Sequence, residues 1–150
     1  MRRIRTLVGL TALIATLSAT SAYATTPPVH FTRVNFDSGS SLLSNYYLNK
    51  EYVVIKNSST RSRSLYQWRL VDKRTATTSV VYHFPSFTLK PGAIVRVHTG
   101  KGTRTSTDLY WGLSHYVWDN KGDTTYLYRS SGTLDDTCSW TSTTTSPAYC

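Results

Sequence analysis

Apolar residues in this chain alternate with polar ones over short stretches, and no segment repeats them at helical spacing over three turns. Period-two alternation predicts strands throughout. His30 to Phe36 reads as a first strand, followed by a Ser/Gly/Asn-rich loop over residues 37–49. In Glu51 to Asn57, Val53 and Ile55 share one face, and Tyr52, Val54 and Lys56 share the other, so the first pair is assigned to the core. Leu65 to Val71 follows, with Trp68 and Leu70 in phase. Leu65 has the wrong parity to join Trp68, so burying both requires a bulge or bend near Tyr66 and Gln67. Ser79 to Phe84 buries Val80, Tyr82 and Phe84 and turns Val81 and His83 outward, until Pro85 ends its pairing. Lys90-Pro91-Gly92 is a type II turn signal, because proline presets the first dihedral and glycine accepts the positive φ after it. Beyond it, Ala93, Val95 and Val97 alternate with Ile94, Arg96 and His98. Residues 100–108 form a polar loop, and the aromatic run Tyr110 to Trp118 holds or approaches another strand. Asp119-Asn120-Lys121-Gly122 reverses the chain. Thr124 to Arg129 and Thr133 to Trp140 then pair around Ser131-Gly132. Short strands divided by turn signals, with no internal repeat, predict one all-β sandwich domain.

The order of motifs narrows this further. The segments E-Y-V-V-I-K-N and L-Y-Q-W-R-L-V-D between Glu51 and Asp72 are followed by L-K-P-G ending at Gly92, V-W-D-N-K-G-D ending at Asp123, and Leu127. This pattern, over roughly residues 33–140, resembles the lamin tail domain family. The positions that carry the resemblance are Glu51, Val53, Ile55, Asn57, Trp68, Leu70, Asp72, Pro91, Gly92, Trp118, Gly122, Asp123 and Leu127, and most of them read as architecture. The resemblance implies an immunoglobulin-like β-sandwich that works as an interaction module. Members in eukaryotic lamins are linked with protein and DNA contacts, and bacterial ones are secreted single domains or accompany extracellular hydrolases. A fold of this kind does not itself specify an activity.

The amino terminus changes the picture of composition. Arg2, Arg3 and Arg5 precede an apolar run from Leu7 to Leu17 and a small-residue stretch ending Ala22-Tyr23-Ala24, the form of a signal peptide cleaved after residue 24. The run is shorter than the ~20 residues a membrane crossing needs, so no span is expected in the mature chain, residues 25–150. Arg5 stands where a twin-arginine signal takes an apolar residue, so ordinary secretion is expected. The leader holds three of the seventeen basic residues, which leaves fourteen against eight acids, a mature charge of +6 rather than +9. That excess favours polyanionic partners, although charge also keeps a secreted domain soluble. Cys138 and Cys150, in an exported chain, are expected to form one structural disulfide that ties down the Ser/Thr-rich tail.

Catalytic chemistry finds little support. His30, His83, His98 and His115 show no compact metal-ligand spacing, and His83 and His98 fall on outward parities. No G-x-S-x-G elbow occurs, and the glycines around Lys101 do not match a phosphate loop. Asp135 and Asp136 are adjacent on a strand and so point to opposite faces. Asp119, Asn120 and Asp123 are explained by turn chemistry rather than by a calcium loop. No catalytic residue, metal or cofactor is therefore assigned.

Two surface patterns remain. Arg61, Arg63, Arg69, Lys73 and Arg74 surround one hairpin, and Lys101 and Arg104 decorate a later loop, which suits extracellular nucleic acid or an anionic cell-wall polymer. Tyr126 and Tyr128 point outward if Leu127 is core, and Tyr110, Trp111, Tyr116 and Trp118 are nearby in sequence. Such aromatics stack on sugars or bases, or serve cross-strand packing. The expected function is a secreted, non-catalytic binding module for a polyanion or a protein partner. A carbohydrate-binding module is the alternative, and a hydrolase with an unrecognised site ranks last.

Overall fold

The computed structural model describes residues 25–73 and 79–150, so the expected leader and Arg74 lie outside the described residues. In chain order the strands are β1 (Val29–Asn35), β2 (Tyr52–Asn57), β3 (Arg63–Ser64), β4 (Arg69–Lys73), β5 (Ser79–His83), β6 (Thr88–Leu89), β7 (Ile94–His98), β8 (Asp108–Tyr110), β9 (Gly122–Tyr128), β10 (Leu134–Thr141) and β11 (Ala148–Tyr149). One sheet has the order β11-β1-β2-β7-β8, a second has the order β10-β9-β4-β5, and β3 pairs with β6. All pairings are antiparallel except β7 with β8. The all-β immunoglobulin-like sandwich is thus present, and every described element of it lies within residues 25–150.

The core follows the alternation. Val53, Ile55, Val95 and Val97 from one sheet meet Leu70, Tyr82 and Leu127 from the other, all buried. Leu65 and Trp68 are both buried despite their parity, because Gln67 adopts φ 61° and the Trp68 amide donates back to Leu65 O at 2.9 Å. The bend expected near Tyr66 and Gln67 therefore exists, and it divides the expected strand Leu65 to Val71. Residues 63–64 pair with β6, and β4 begins only at Arg69. Val54 was placed on the outer face, yet it is buried there. Its register neighbours are Arg33 and Arg96, long side chains whose apolar stems can shield a small outward residue.

The short pair β3 and β6 lies outside the expected strands, and two more elements depart from the sequence reading. The loop over residues 37–49 contains a short helix, α1 (Asn45–Leu48), anchored by buried Leu48. The tail adds β11, which pairs with the outer edge of β1. The expected Cys138–Cys150 disulfide is present and joins β10 of one sheet to the end of β11 in the other. The sheets are joined again at two irregularities. β1 shifts register between Phe31 and Arg33, β10 between Leu134 and Asp136, and the Phe31 amide donates to Asp136 Oδ2 at 2.7 Å. A ladder bond interrupted by one bulge is thereby replaced by a carboxylate from the other.

Asn57 fixes the turns at one end of β2. Its side-chain amide donates to Arg61 O, Leu89 O and Lys90 O, and its side-chain oxygen accepts from the amide and hydroxyl of Ser59. The adjoining Lys90-Pro91-Gly92 turn closes with Ala93 N donating to Lys90 O, and Gly92 has φ 72°, the conformation that favours glycine.

Candidate functional site

Residues that are separated in sequence meet on the outer face of the four-stranded sheet. Because Leu70 and Leu127 are core, Arg69, Val71 and Lys73 on β4 and Tyr126 and Tyr128 on β9 must face outward. Register sets Arg69 against Tyr128 and Val71 against Tyr126. The two phenol rings stack with centroids 6.4 Å apart. Lys73 Nζ lies 4.2 Å from the Tyr126 centroid and 5.3 Å from that of Tyr128, while the Arg69 guanidinium lies 5.3 Å from Tyr128. Cations on aromatic faces are held by the ring quadrupole. A hydrogen bond to Tyr128, opposed by slight desolvation, raises the Lys73 pKa above its ordinary value, so the ammonium stays charged. Among the described residues, neither Arg69 nor Lys73 forms an ion pair with a carboxylate.

A separate cleft lies past the end of β9, where Arg129 shares the parity of core Leu127 rather than that of Tyr126 and Tyr128. Arg129 lies over the Trp68 ring at 5.9 Å and pairs with Asp135, and Arg63, Trp68, Arg129 and Asp135 line one shallow cleft. The sequence reading did not select Arg129. Its signal was a cation directly after the outward Tyr126/Tyr128 pair. Arg61, Lys101 and Arg104 fall elsewhere. Arg61 lies beyond the Asn57 end of β2, whereas Lys101 is tied to Asn45 and Asn49 at the opposite end. A six-residue strand, about 20 Å long, separates them. Of the other aromatics named from sequence, Trp118 is buried and Trp111 packs half-buried against Tyr82 and Trp118, whereas Tyr110 stacks on His98 and Tyr116 is bonded to Ser38, both half-buried.

The outer face of the five-stranded sheet carries a different cluster. His98 Nδ1 is 2.8 Å from Asn49 O and Nε2 is 3.0 Å from Asp108 Oδ1, so both ring nitrogens face an acceptor oxygen. The ring stacks on Tyr110 and tilts against Tyr52, whose hydroxyl accepts from Arg33. His83 stands on β5 in the other sheet, so the two histidines are not neighbours. Burial opposes ionisation of Asp108, but hydrogen bonds from Thr107 and His98 and the charges of His98 and Arg96 outweigh it, holding its pKa below 3.8. A depressed carboxyl pKa contributes stability that is fully present above its unfolded value and lost as pH falls through the folded one. Thermal unfolding should therefore show an acid-side loss beginning below about pH 4 that is smaller in Asp108→Asn. Equal acid sensitivity in the two proteins would contradict this role.

At the end of the sandwich opposite Asn57, Glu51 is fully buried. Its Oε1 accepts from Thr99 Oγ1 at 2.6 Å and Val117 N at 2.8 Å, and its Oε2 accepts from Trp118 N at 3.3 Å. Nearby, Asp72, Asp119 and Asp123 line an open cleft of about 560 Å³. Burial raises the Asp123 pKa, and the charges of Asp72 and Asp119 add to the rise, against hydrogen bonds from the Thr124 and Asp119 amides. Asp119 accepts from Lys121 N within its own turn. Among the described residues, no group of three or more His, Cys, Asp or Glu is placed to hold a metal ion.

A family model described as Lamin Tail Domain matches residues 22–142. No curated protein shows a significant match.

Proposed function

Because the chain belongs to the lamin tail domain family, whose match spans most of its length, we propose that it serves as a secreted, non-catalytic binding module for an extracellular polyanion. The observation that carries this reading is the ladder of Arg69, Lys73, Tyr126 and Tyr128. Two cations that form no ion pair among the described residues are held beside two stacked rings on the outer sheet face. An anionic strand lying along it gains charge neutralisation from the cations, and bases gain stacking surface where the phenols are exposed. Residues 1–24 act as the export signal in this reading, and the disulfide suits the oxidising exterior. A neutral sugar gains nothing from the two cations, so the carbohydrate reading is the weaker one. Arg63 and Arg129 line a separate cleft beside Trp68, where Arg129 is paired with Asp135. Arg61, Lys101 and Arg104 contribute at most to long-range steering.

The test is retention of the chain lacking residues 1–24 on single-stranded DNA and on anionic and neutral cell-wall polymers, across a salt series. Binding to the anionic matrices should weaken with salt. Arg69→Ala with Lys73→Ala should reduce the log–log salt slope on single-stranded DNA by about 1.4, roughly 0.7 for each cation removed. Tyr126→Ala with Tyr128→Ala should weaken DNA binding about tenfold or more while leaving a base-free wall polymer almost unaffected. Salt-insensitive or absent retention would overturn the polyanion reading and direct attention to a protein partner.

A further inference from the structure

Six large apolar side chains are strongly exposed among the described residues, and three fall within one five-residue span: Leu42 at 61%, Leu43 at 59% and Tyr46 at 68%. The other three, Tyr66, Leu134 and Tyr149, are scattered, as single exposed apolar residues commonly are. Adjacent ones that remain uncovered mark a contact surface. We infer that the loop and helix over residues 38–50 form a docking tip for an anionic phospholipid surface.

The backbone of this tip is fastened from both sides. The Tyr116 hydroxyl donates to Ser40 O at 2.9 Å and Leu42 O at 2.8 Å, and accepts from Ser38 Oγ. Asn45 exchanges two hydrogen bonds with the Lys101 backbone, and Asn49 adds a third. Buried Leu48 plugs α1 onto the sandwich. The two leucines are therefore presented by a held loop. With no Cβ, Gly100 lets Asn45 and Asn49 approach, since an added carbon would sit 2.5 Å from Asn49 Oδ1 and 2.6 Å from Asn45 Oδ1.

Charge selects the occupant. Lys50 Nζ lies 4.6 Å from the Tyr46 ring centroid and 5.1 Å from that of Tyr47, Lys101 is exposed beside α1, and Lys121 borders the cleft formed by Ser38 to Ser41. Asp37 and Asp119 line that same cleft, each accepting a backbone N–H, from Gly39 and Lys121 respectively. Leucines that enter the acyl boundary, a tyrosine at headgroup depth and lysines against anionic headgroups are the components of an interfacial contact. A second copy meeting this tip through a two-fold axis would set the same lysines against one another. The tip lies beyond the Tyr52 end of β2, on a different sheet from the Arg69/Lys73 ladder, and does not depend on that reading.

Sedimentation of residues 25–150 with phosphatidylglycerol/phosphatidylcholine vesicles, against pure phosphatidylcholine, tests the inference. Binding to the anionic vesicles alone is expected. Leu42→Ser with Leu43→Ser should weaken it roughly thirtyfold, and Lys50→Ala with Lys101→Ala roughly twentyfold. Both variants should keep the wild-type melting profile, because all four side chains are exposed. Tyr126→Ala with Tyr128→Ala should leave vesicle binding unchanged, which separates this site from the polyanion ladder. Absence of binding, or undiminished binding by the leucine variant, would overturn the docking tip. Self-association lost in the leucine variant without vesicle binding would equally overturn it and assign the tip to a second copy of the chain.

Discussion

Replacing Glu51 by alanine is expected to destabilise the domain by at least about 3 kcal/mol, a large fraction of the 5–15 kcal/mol typical of a domain. The expectation rests on what the carboxyl group satisfies. Thr99 Oγ1, Val117 N and Trp118 N converge on its two oxygens with no solvent access, and the Glu51 carbonyl accepts from Thr99 N. Truncation strands three buried donors, each at a cost of about 1–3 kcal/mol unless water enters. It also detaches the irregular segment around Val117 and Trp118, and with it the edge-to-face row of Trp111, Trp118 and Trp140 that fills this end of the core. Glu51→Gln preserves volume and one acceptor oxygen but turns an amide N–H₂ toward a donor, so it should lose roughly 2 kcal/mol. Urea unfolding followed by near-ultraviolet circular dichroism reads both changes. A loss below about 1 kcal/mol in the alanine variant would show that the pocket rehydrates and that Glu51 is not the pin of this end.

Removing the disulfide through Cys138→Ser with Cys150→Ser should cost about 3 kcal/mol, the chain-entropy value for a short loop, here with a sequence separation of 12. For a domain of this size that lowers the melting temperature by on the order of 10 °C. The bond has a second effect. β11 is two residues long and its ladder pairing is with β1, with Cys150 N donating to Thr32 O. Without the covalent tie to β10 this strand has too little pairing of its own to stay on the sheet. Hydrogen exchange on the double variant should therefore show the β1 edge near Arg33 and Val34 opening first, while β2 and β7 remain protected. A melting temperature unchanged by reductant would refute the structural role of the bond.

How far the sequence reaches depends on whether the governing interaction is local. Strand alternation, the Pro91-Gly92 turn and the cysteine pair were legible, because each rests on dihedral limits, period-two geometry or the chemistry of one residue type. Even the bend at Gln67 followed from parity alone, since Leu65 and Trp68 cannot both face inward on a regular strand. β11 was not legible: two residues in a Ser/Thr-rich tail carry no periodicity, and their partner strand β1 lies more than a hundred residues away. α1 was hidden for a similar reason, as four residues are too few to show a helical repeat.

The candidate site divides in the same way. Outward parities of Arg69, Lys73, Tyr126 and Tyr128 came from strand patterning, but that the four share one surface came from the register of β4 against β9, which no local signal specifies. The same tertiary arrangement separated Arg61 from Lys101 and set Arg129 over Trp68 beside Asp135. Glu51 is the sharpest case. In sequence it is an ordinary acidic residue at the head of a strand, and its burial arises from donors 48, 66 and 67 residues away. The sequence by itself determined the all-β sandwich, its turns and its covalent staple, because backbone sterics and apolar alternation act between neighbours. Only the tertiary structure decided which charges and rings stand together, because strand order and register are set by packing across the whole core.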